Sequence, residues 1–446
     1  MRSIDTPYPV LQICARLRAA GNQAWLVGGA VRDSLMGREP HDWDIATNAR
    51  PEVVAALFAR VVLTGEKHGT VSVIVDGQAY EVTTFRGDGK YSDGRHPDDV
   101  RFVKTIEEDL SRRDFTMNAI AYEPFLRRWV DPFGGRDDIE LKLIRCVGEP
   151  VERMNEDGLR ALRACRFAAT LGFGVVPRTL WAMSALYTYS EVAQERVRAE
   201  WLKVMAAESP SRAFRLMADT GMLGVTAPEF LPTVGCTQNR YHGLDVWGHT
   251  TAVVDSVPVG NLLLRIAALF HDIGKPATKG ENPKTGQATF YGHEDVGAEM
   301  TEAILRRLTF SNTEITRVCH LVRHHLVRYE PGDSKASIRR WVRKAGPENV
   351  VSLLTLARAD IAGKGNAAEP RDASAIDELE ARLVDLKVEE IPTSAAQLAI
   401  NGRDVMDHLG IGPGPAVGQH LKRLLDLVTE DPVANTRDAL LSALKL

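Results

Sequence analysis

The chain of 446 residues carries 44% hydrophobic and 26% charged side chains and a formal net charge of −4. Length calls for about three domains, the composition is that of an ordinary globular protein, and the slight acidity excludes a broadly basic nucleic-acid coat, so RNA contacts must follow local basic strips. No apolar run reaches the ~18 residues of a membrane span, since the best stretch, 261–270, is broken by Arg265. Asp5, Pro7 and Arg16 interrupt any signal-peptide core, and five scattered cysteines fit reduced thiols in a cytoplasm better than a disulfide framework or zinc cluster.

In chain order, Leu26 and Val27 read as the end of a buried strand. Gly28 and Gly29 have no Cβ, so the backbone can turn sharply there and approach a phosphate. Residues 30–36 read as a short helix whose first amides point at an anion in that turn. Asp42-Trp43-Asp44-Ile45 alternates acid and apolar, as on a strand, and a period of two puts both carboxylates on one face. Two acids on one face can share divalent cations, as metal-assisted phosphoryl chemistry requires. A glycine turn followed by surface acids is the plainer reading of either feature alone. Together, at this spacing, they resemble the nucleotidyltransferase signature of the DNA polymerase beta superfamily.

Residues 51–59 read as a short helix capped near Asn48, and Thr70–Val75 and residues 78–85 flank Asp76-Gly77, a strong hairpin signal. A two-residue turn sets Val75 opposite Gln78 and Ser72 opposite Glu81, so Ser72, Glu81 and Thr83 share the more polar face. Glu81 is a candidate third metal carboxylate; a solvated strand acid is the alternative. Residues 86–99 (RGDGKYSDGRHPDD), with three glycines and one proline, read as a long mobile loop. In SRRDFTMNAIAY (111–122), Arg113 suits a triphosphate, and Asp114 and Asn118 suit a sugar or the ordering of the site. The plainer reading is a helix start with surface charge. DPFGGRDDI (131–139) reads as a closing turn.

Taken in order, Gly28-Gly29, Arg32, Asp42-Trp43-Asp44, Arg112-Arg113-Asp114-Phe115-Thr116-Met117-Asn118-Ala119 and Asp131-Pro132-Phe133-Gly134-Gly135 resemble the motifs of class II tRNA nucleotidyltransferases, the CCA-adding enzymes and bacterial poly(A) polymerases. The resemblance runs through nearly the whole chain. It implies Asp42 and Asp44 as catalytic acids holding Mg²⁺. It also implies Gly28, Gly29, Arg32, Arg113, Asp114 and Asn118 as nucleotide-binding residues.

Residues 156–167 (EDGLRALRACRF) are helical by composition, and Asp157 and Arg160, three apart, then neighbour each other on one face. An acid beside an arginine can copy a base-pair edge: Asp accepts from the amino group of cytosine or adenine and Arg donates to a ring nitrogen or carbonyl, while uracil and guanine lack the amino group there. Sequence alone favours a surface ion pair. Resemblance favours the family's protein template for selecting CTP and ATP. Each step of three residues rotates by about 60°, so Arg163 still faces the nucleotide, and Arg166, nearly opposite Asp157, is included from the resemblance. ERVRAEWLKVM (195–205) reads as an amphipathic helix with surface charge.

HGLDVWGHT (242–250), RIAALFHDIGKP (265–276) and Asp360 after a helical stretch resemble an HD-superfamily metal site. The expected ligands are His249, His271, Asp272 and Asp360, a nitrogen-and-carboxylate set that suits several divalent ions without choosing among them. Lys275 suits a phosphate oxygen. His293, His320, His324 and His325 are candidates for a second metal site, with packed or surface histidines as the plainer reading. Asn401-Gly402-Arg403-Asp404 and the turn at 410–414 suit either an RNA backbone or a packing motif.

The expected architecture is therefore an elongated multidomain α+β protein. A polymerase-beta-like head with a mixed sheet and helices (1–145) precedes all-α regions: a neck (146–235), an HD domain (236–375) and a tail (376–446). The expected function is CCA addition to the tRNA 3′ end from CTP and ATP, in the cytoplasm, with no membrane partner and with the HD domain a candidate phosphohydrolase. An A-adding enzyme or poly(A) polymerase is the alternative, although a polymerase is expected to carry a basic tail and no HD domain. A phosphohydrolase with a nucleotide-sensing N-terminal half is a second alternative, opposed by the intact Asp42 and Asp44. The sequence leaves the oligomeric state open.

Overall fold

The computed structural model describes residues 3–40, 42–65, 69–87, 101–185, 192–366, 372–386, 388, 391–430 and 433–444. Most of the expected mobile loop, 88–99, lies outside them. The chain divides into two compact units, Met1–Pro228 and Glu229–Leu446.

The first unit begins with α1 (Tyr8–Ala19), β1 (Ala24–Val27), α2 (Gly29–Leu35), β2 (Asp44–Thr47) and α3 (Pro51–Leu57). It continues with β3 (Val61–Gly65), β4 (Thr70–Val75), β5 (Gln78–Thr84), β6 (Arg86–Gly87), β7 (Arg101–Phe102) and α4 (Ile106–Ser111). Then come β8 (Ala121–Glu123), β9 (Arg128–Val130), α5 (Gly135–Glu140) and β10 (Leu143–Ile144). Seven strands form one mixed sheet in the order β3-β4-β5-β2-β1-β8-β9. Asp76 and Gly77 both have positive φ, 51° and 82°, the backbone a two-residue hairpin turn needs. The resulting register pairs Val75 with Gln78 and Ser72 with Glu81, as the sequence predicts. β2 runs parallel to β5, so Asp44 is the direct partner of Glu81, and on its other side Asp44 pairs with Val27 of β1. Below the sheet, Trp25, Val27, Phe85, Leu110 and Ala121 form part of the core.

Two local expectations are corrected. Asn48 does not cap α3: its Oδ1 accepts from the Gln23 amide at 2.7 Å, and the helix starts on Pro51 with no side-chain cap. β2 begins at Asp44, so Asp42 and Trp43 precede the ladder instead of extending it.

The unit closes with helices: α6 (Pro150–Glu156), α7 (Leu159–Leu171), β11 (Gly174–Val175), α8 (Pro177–Ser184), α9 (Gln194–Met205), α10 (Ser211–Asp219) and α11 (Met222–Thr226). The all-α expectation for the neck is broken once, where β11 pairs in parallel with β10. The single helix expected over 156–167 is two, because the backbone turns extended at Asp157 (φ −147°, ψ 104°).

Among the described residues the second unit is helical apart from one short hairpin: α12 (Val246–Ser256), α13 (Leu262–Phe270), β12 (Gly280–Glu281), β13 (Ala288–Thr289), α14 (His293–Arg307), α15 (Asn312–His324), α16 (Lys335–Ala345), α17 (Val350–Ala362) and α18 (Ser374–Asp385). α19 (Gly402–Leu409), α20 (Pro415–Glu430) and α21 (Arg437–Ala443) end it around Val405, Leu424 and Leu440. Asn401 accepts from the Arg403 and Asp404 amides at 2.9 and 3.3 Å, so it caps α19. Among the described residues, no helix is long and apolar enough to cross a membrane.

Gly135 fixes the end of the head: a Cβ there would lie 2.0 Å from the Thr116 carbonyl oxygen. Gly135→Ala is expected to cost about 2–3 kcal/mol. Gly37→Ala, at φ 71° but facing open space, is expected to cost only about 1 kcal/mol of left-handed strain. Urea midpoints of the two variants check the order.

Candidate functional site

The first site is built on the turn between β1 and α2. Gly28 has φ 71°, and a Cβ there would sit 3.1 Å from Asp44 Oδ2 and 3.3 Å from Arg113 Nη1. Only glycine meets both conditions, so the turn holds a carboxylate and a guanidinium against the start of α2. Burial lifts the Asp44 carboxyl above its usual range; Arg113 pulls it down, and Glu81 and Asp42 push it up. Asp42 is exposed and Asp44 half-buried. A cation beside them would relieve this crowding, so the donor set fits a divalent ion. Among the described residues, the three acids are not drawn within 4.8 Å of one another, unlike those of the second site below.

Behind Arg113 lies an acid the sequence reading missed. Asp109, 1% exposed, accepts from Arg112 Nε and Nη2 at 3.0 and 2.8 Å, from Arg113 Nη2 at 3.2 Å and from the Arg86 amide at 3.2 Å. Burial alone would raise its carboxyl, but Arg112 and Arg113 outweigh that and hold it below its usual range. Beside this cluster, Asp114 accepts from Arg163 Nε and Nη2 at 2.8 and 2.6 Å and from Asn118 Nδ2 at 3.0 Å. Arg32 Nη1 donates to Asn118 Oδ1 at 2.8 Å. Burial again acts upward on Asp114, and Arg163 and Asn118 carry it well below the usual range. Arg32, Asn118, Asp114 and Arg163 thus form one chain of charge-assisted bonds, which the resemblance named residue by residue without predicting the links.

Asp157 and Arg160 do not pair. Asp157 sits at the break between α6 and α7, where its Oδ1 accepts from the Leu159 amide at 3.0 Å, and Arg196 of α9 holds it at 2.7 and 3.2 Å. Arg160 is buried against Glu156 and donates to the carbonyls of Arg153 and Arg112 at 2.6 and 3.2 Å. Arg166 donates to Glu200 Oε2 at 2.5 Å. The helix α9 is therefore more than an amphipathic surface, since it supplies the partners of Asp157 and Arg166. The signal was a charged residue, Glu200, flanked by Trp201 on an apolar stripe.

The second site joins α12, the end of α13 and α17. His249 Nε2 lies 3.0 Å from Asp360 Oδ1 and 3.4 Å from Asp272 Oδ2, and His271 Nε2 lies 3.1 Å from Asp272 Oδ2. Each imidazole is aimed by its other nitrogen: Nδ1 of His249 donates to the Gly363 carbonyl at 3.1 Å, and that of His271 to Ala268 at 2.7 Å. That leaves Nε2 inward as a ligand, the usual way a protein fixes a metal-binding tautomer. His293 and His325 are buried too. Their Nδ1 atoms donate to Phe290 and Val322 at 2.7 Å, and their Nε2 atoms lie 3.4 and 3.8 Å from Asp272 Oδ1. Asp272 thus belongs to two groups with ligand spacing, one on each oxygen. Of the four further histidines, His293 and His325 have ligand spacing with Asp272, whereas His320 Nε2 bonds the Ala345 carbonyl at 2.6 Å and His324 is in neither group.

Asp272 Oδ2 is buried and lacks an aligned hydrogen-bond donor, although the Lys275 ammonium lies 2.6 Å away as an ion pair. An orphaned oxygen at the meeting point of four ligands fits a cation. Lys275 also donates to Gln238 Oε1 at 2.7 Å, so it is anchored and not extended toward solvent. Burial alone would depress His271, but Asp272 and Asp360 outweigh it and raise its pKa to about 9. Below pH 9 the metal-free centre therefore carries a proton where an ion would bind.

Three family models match the chain: the Poly A polymerase head domain over residues 24–145, the probable RNA and SrmB-binding site of polymerase A over 172–232, and the HD domain over 240–381. The chain is 35% identical over 428 residues (93% of it and 94% of the other) to the A-adding tRNA nucleotidyltransferase of Deinococcus radiodurans. It is 32% identical over 444 residues (98% and 96%) to the CCA-adding enzyme of Limosilactobacillus fermentum. With the CCA-adding enzyme of Geobacillus stearothermophilus it shares 47% identity over 213 residues, 48% of this chain and 52% of the other. The crystal structure of Bacillus stearothermophilus CCA-adding enzyme in complex with CTP superimposes with a TM-score of 0.70 at 30% identity, covering 99% of this chain and 98% of that one.

A metal ligand must be neutral imidazole, so binding displaces the His271 proton. Apparent Co²⁺ affinity, followed by ligand-field absorbance, is expected to rise about tenfold per pH unit and to level off near pH 9. A flat profile below that pH contradicts the assignment.

Proposed function

The chain belongs to the bacterial CCA-adding tRNA nucleotidyltransferase and poly(A) polymerase family, in the form with a C-terminal HD domain, and on that premise we propose that it adds C, C and A to the tRNA 3′ end from CTP and ATP without a nucleic-acid template. The observation that carries this reading is the Gly28 turn, which sets Asp44 and Arg113 against one backbone position. Gly29, Arg32 and Arg113 hold the triphosphate, with Asp109 orienting Arg113. Asp42 and Asp44, with Glu81 beside them, hold Mg²⁺, whose chemistry when bound is to activate the attacking 3′-hydroxyl and neutralise the leaving pyrophosphate. Asp114 and Asn118 order the sugar side of the site.

Asp157 accepts from the amino group of cytosine or adenine, and Arg196 keeps its carboxylate aimed. Arg160 reads the ring edge by exchanging a carbonyl partner for the base, and Arg163 supports it. Uracil and guanine offer no amino group at that edge and are rejected. Residues 86–99 switch the pocket from C to A. A-only addition is a second reading, favoured by the likeness to the Deinococcus radiodurans enzyme over nearly its whole length.

At the HD centre, His249, His271, Asp272 and Asp360 hold a divalent ion of unspecified identity, with His293 and His325 on the other oxygen of Asp272. Those residues would hold the ion, and the chemistry it would supply there is activation of a water near neutral pH. The reaction proposed there is hydrolysis of 2′,3′-cyclic phosphate or 3′-phosphate ends. A blocked end must lose its phosphate before a 3′-hydroxyl can attack CTP, so the two activities follow in order. The compartment proposed for both is the cytoplasm.

Transcripts of tRNA lacking CCA, CA or A, incubated with CTP and ATP singly and together, are expected to be completed to CCA, as read by 3′-end sequencing. Asp44→Ala should reduce addition by about three orders of magnitude. Asp157→Ala should lose about 1–3 kcal/mol of discrimination against UTP and GTP. Completion of only the CC-ending transcript shows the A-adding reading to be right. Asp272→Ala should abolish release of phosphate from 3′-phosphorylated tRNA while sparing addition to a free 3′-hydroxyl.

A further inference from the structure

Two hollows meet beside the HD centre. One, of about 300 Å³, opens onto Asp272, His293, His325 and Asp360. Its neighbour, of about 160 Å³, runs past Arg323, Trp341 and Lys344. Glu294, Leu326 and Arg328 line both, so the hollows share a wall. The second carries three cations, Arg323 beside Asp295, Arg328 beside Glu294, and Lys344, together with the Trp341 indole, the combination that follows a phosphodiester backbone and stacks a base.

Two further features point to the same occupant. Tyr291, at the rim of the first hollow, is 82% exposed, an aromatic face turned largely to solvent. Glu294 Oε2 is buried and makes no hydrogen bond, although His293 Nδ1 lies 3.5 Å from it and Arg328 Nη2 lies 3.5 Å from the other oxygen. A carboxylate oxygen is an acceptor only, and among phosphates it repels. A ribose 2′-hydroxyl is the donor that fits an acidic acceptor set between cations, and it is the group that distinguishes RNA from DNA.

We propose that the two hollows form one groove for the 3′-terminal stretch of an RNA strand, with its terminal phosphate at the HD centre. The terminal base stacks on Tyr291, a 2′-hydroxyl donates to Glu294, and the preceding phosphates pass Arg328 toward Lys344 and Arg323, with Trp341 as the second stacking face. The substrate class is thus the end of a polynucleotide and not a free nucleotide. This rests on the hydrolytic reading of the HD centre but is tested by binding.

Fluorescence anisotropy with a short 3′-phosphorylated RNA, and with DNA of the same sequence, tests it on the full chain. Arg323→Gln combined with Lys344→Gln, both exposed positions, is expected to weaken RNA binding about tenfold and to lower the salt slope by about two. Glu294→Met, which keeps the length and removes the oxygen acceptor, should remove most of the preference for RNA over DNA. Any contribution of the amino-terminal unit is common to all proteins compared, and unchanged melting temperatures confirm intact folds. Equal RNA affinity and salt slope in wild type and the double variant overturn the groove; equal wild-type binding of RNA and DNA overturns the assignment to RNA. If the affinity difference holds while no protein hydrolyses a 3′-phosphate end, the groove stands and only the hydrolytic reading falls.

Discussion

The ion pair of Asp114 with Arg163 is the constraint on which the first unit depends. Asp114 ends the segment that follows α4, and Arg163 lies on α7, so one buried bond joins the sheet to the helical neck. Phe115, next to Asp114, and Phe167, one turn along α7 from Arg163, meet edge to face at 5.8 Å beside it. Breaking such a pair on one side typically costs about 3–5 kcal/mol, because the other charge is left buried alone. The cost of isolation is what makes the arrangement definite. Arg163 cannot leave without Asp114, Asn118 is oriented by Asp114, and Arg32 is oriented by Asn118.

Charges in the two sites are managed by opposite means. In the head, acids crowd one another and arginines are spent on acids, so Asp44 is held neutral more readily than an ordinary carboxylate. At the HD centre the acids face imidazoles, and a proton on His271 offsets Asp272 and Asp360. The first arrangement suits an ion that arrives with a nucleotide. The second suits one that stays, since four aimed nitrogens and a shared carboxylate need no help from the substrate.

Much of this was legible in the chain. Asp-Gly between two β-branched runs gave the hairpin and its register, because two positive φ angles at adjacent residues admit few alternatives. The Gly-Gly turn was legible because a positive φ and the close approach of Asp44 and Arg113 at Gly28 leave no room for a side chain. Helix faces were less so. Asp157 and Arg160 read as neighbours only if one helix spans them, and the backbone instead turns extended at Asp157. The partners of His293 and His325 were invisible because 21 and 53 positions separate them from Asp272, and no local period links residues so far apart. Buried acids such as Asp109 and Glu200 looked like surface charge, since sequence shows a residue's type and not whether an arginine from another element covers it.

The parallel pairing of β2 with β5 also governs how the head is assembled. Every other pairing in the seven-stranded sheet, among the described residues, is antiparallel. Asp44 and Glu81 come together only after the chain between them has formed α3 and the β4–β5 hairpin and crossed back. Closing a loop of that length carries an entropic cost that local contacts do not repay until the strand docks. A nascent chain that has released Asp42 and Asp44 from the ribosome therefore still lacks the strand that completes their surroundings.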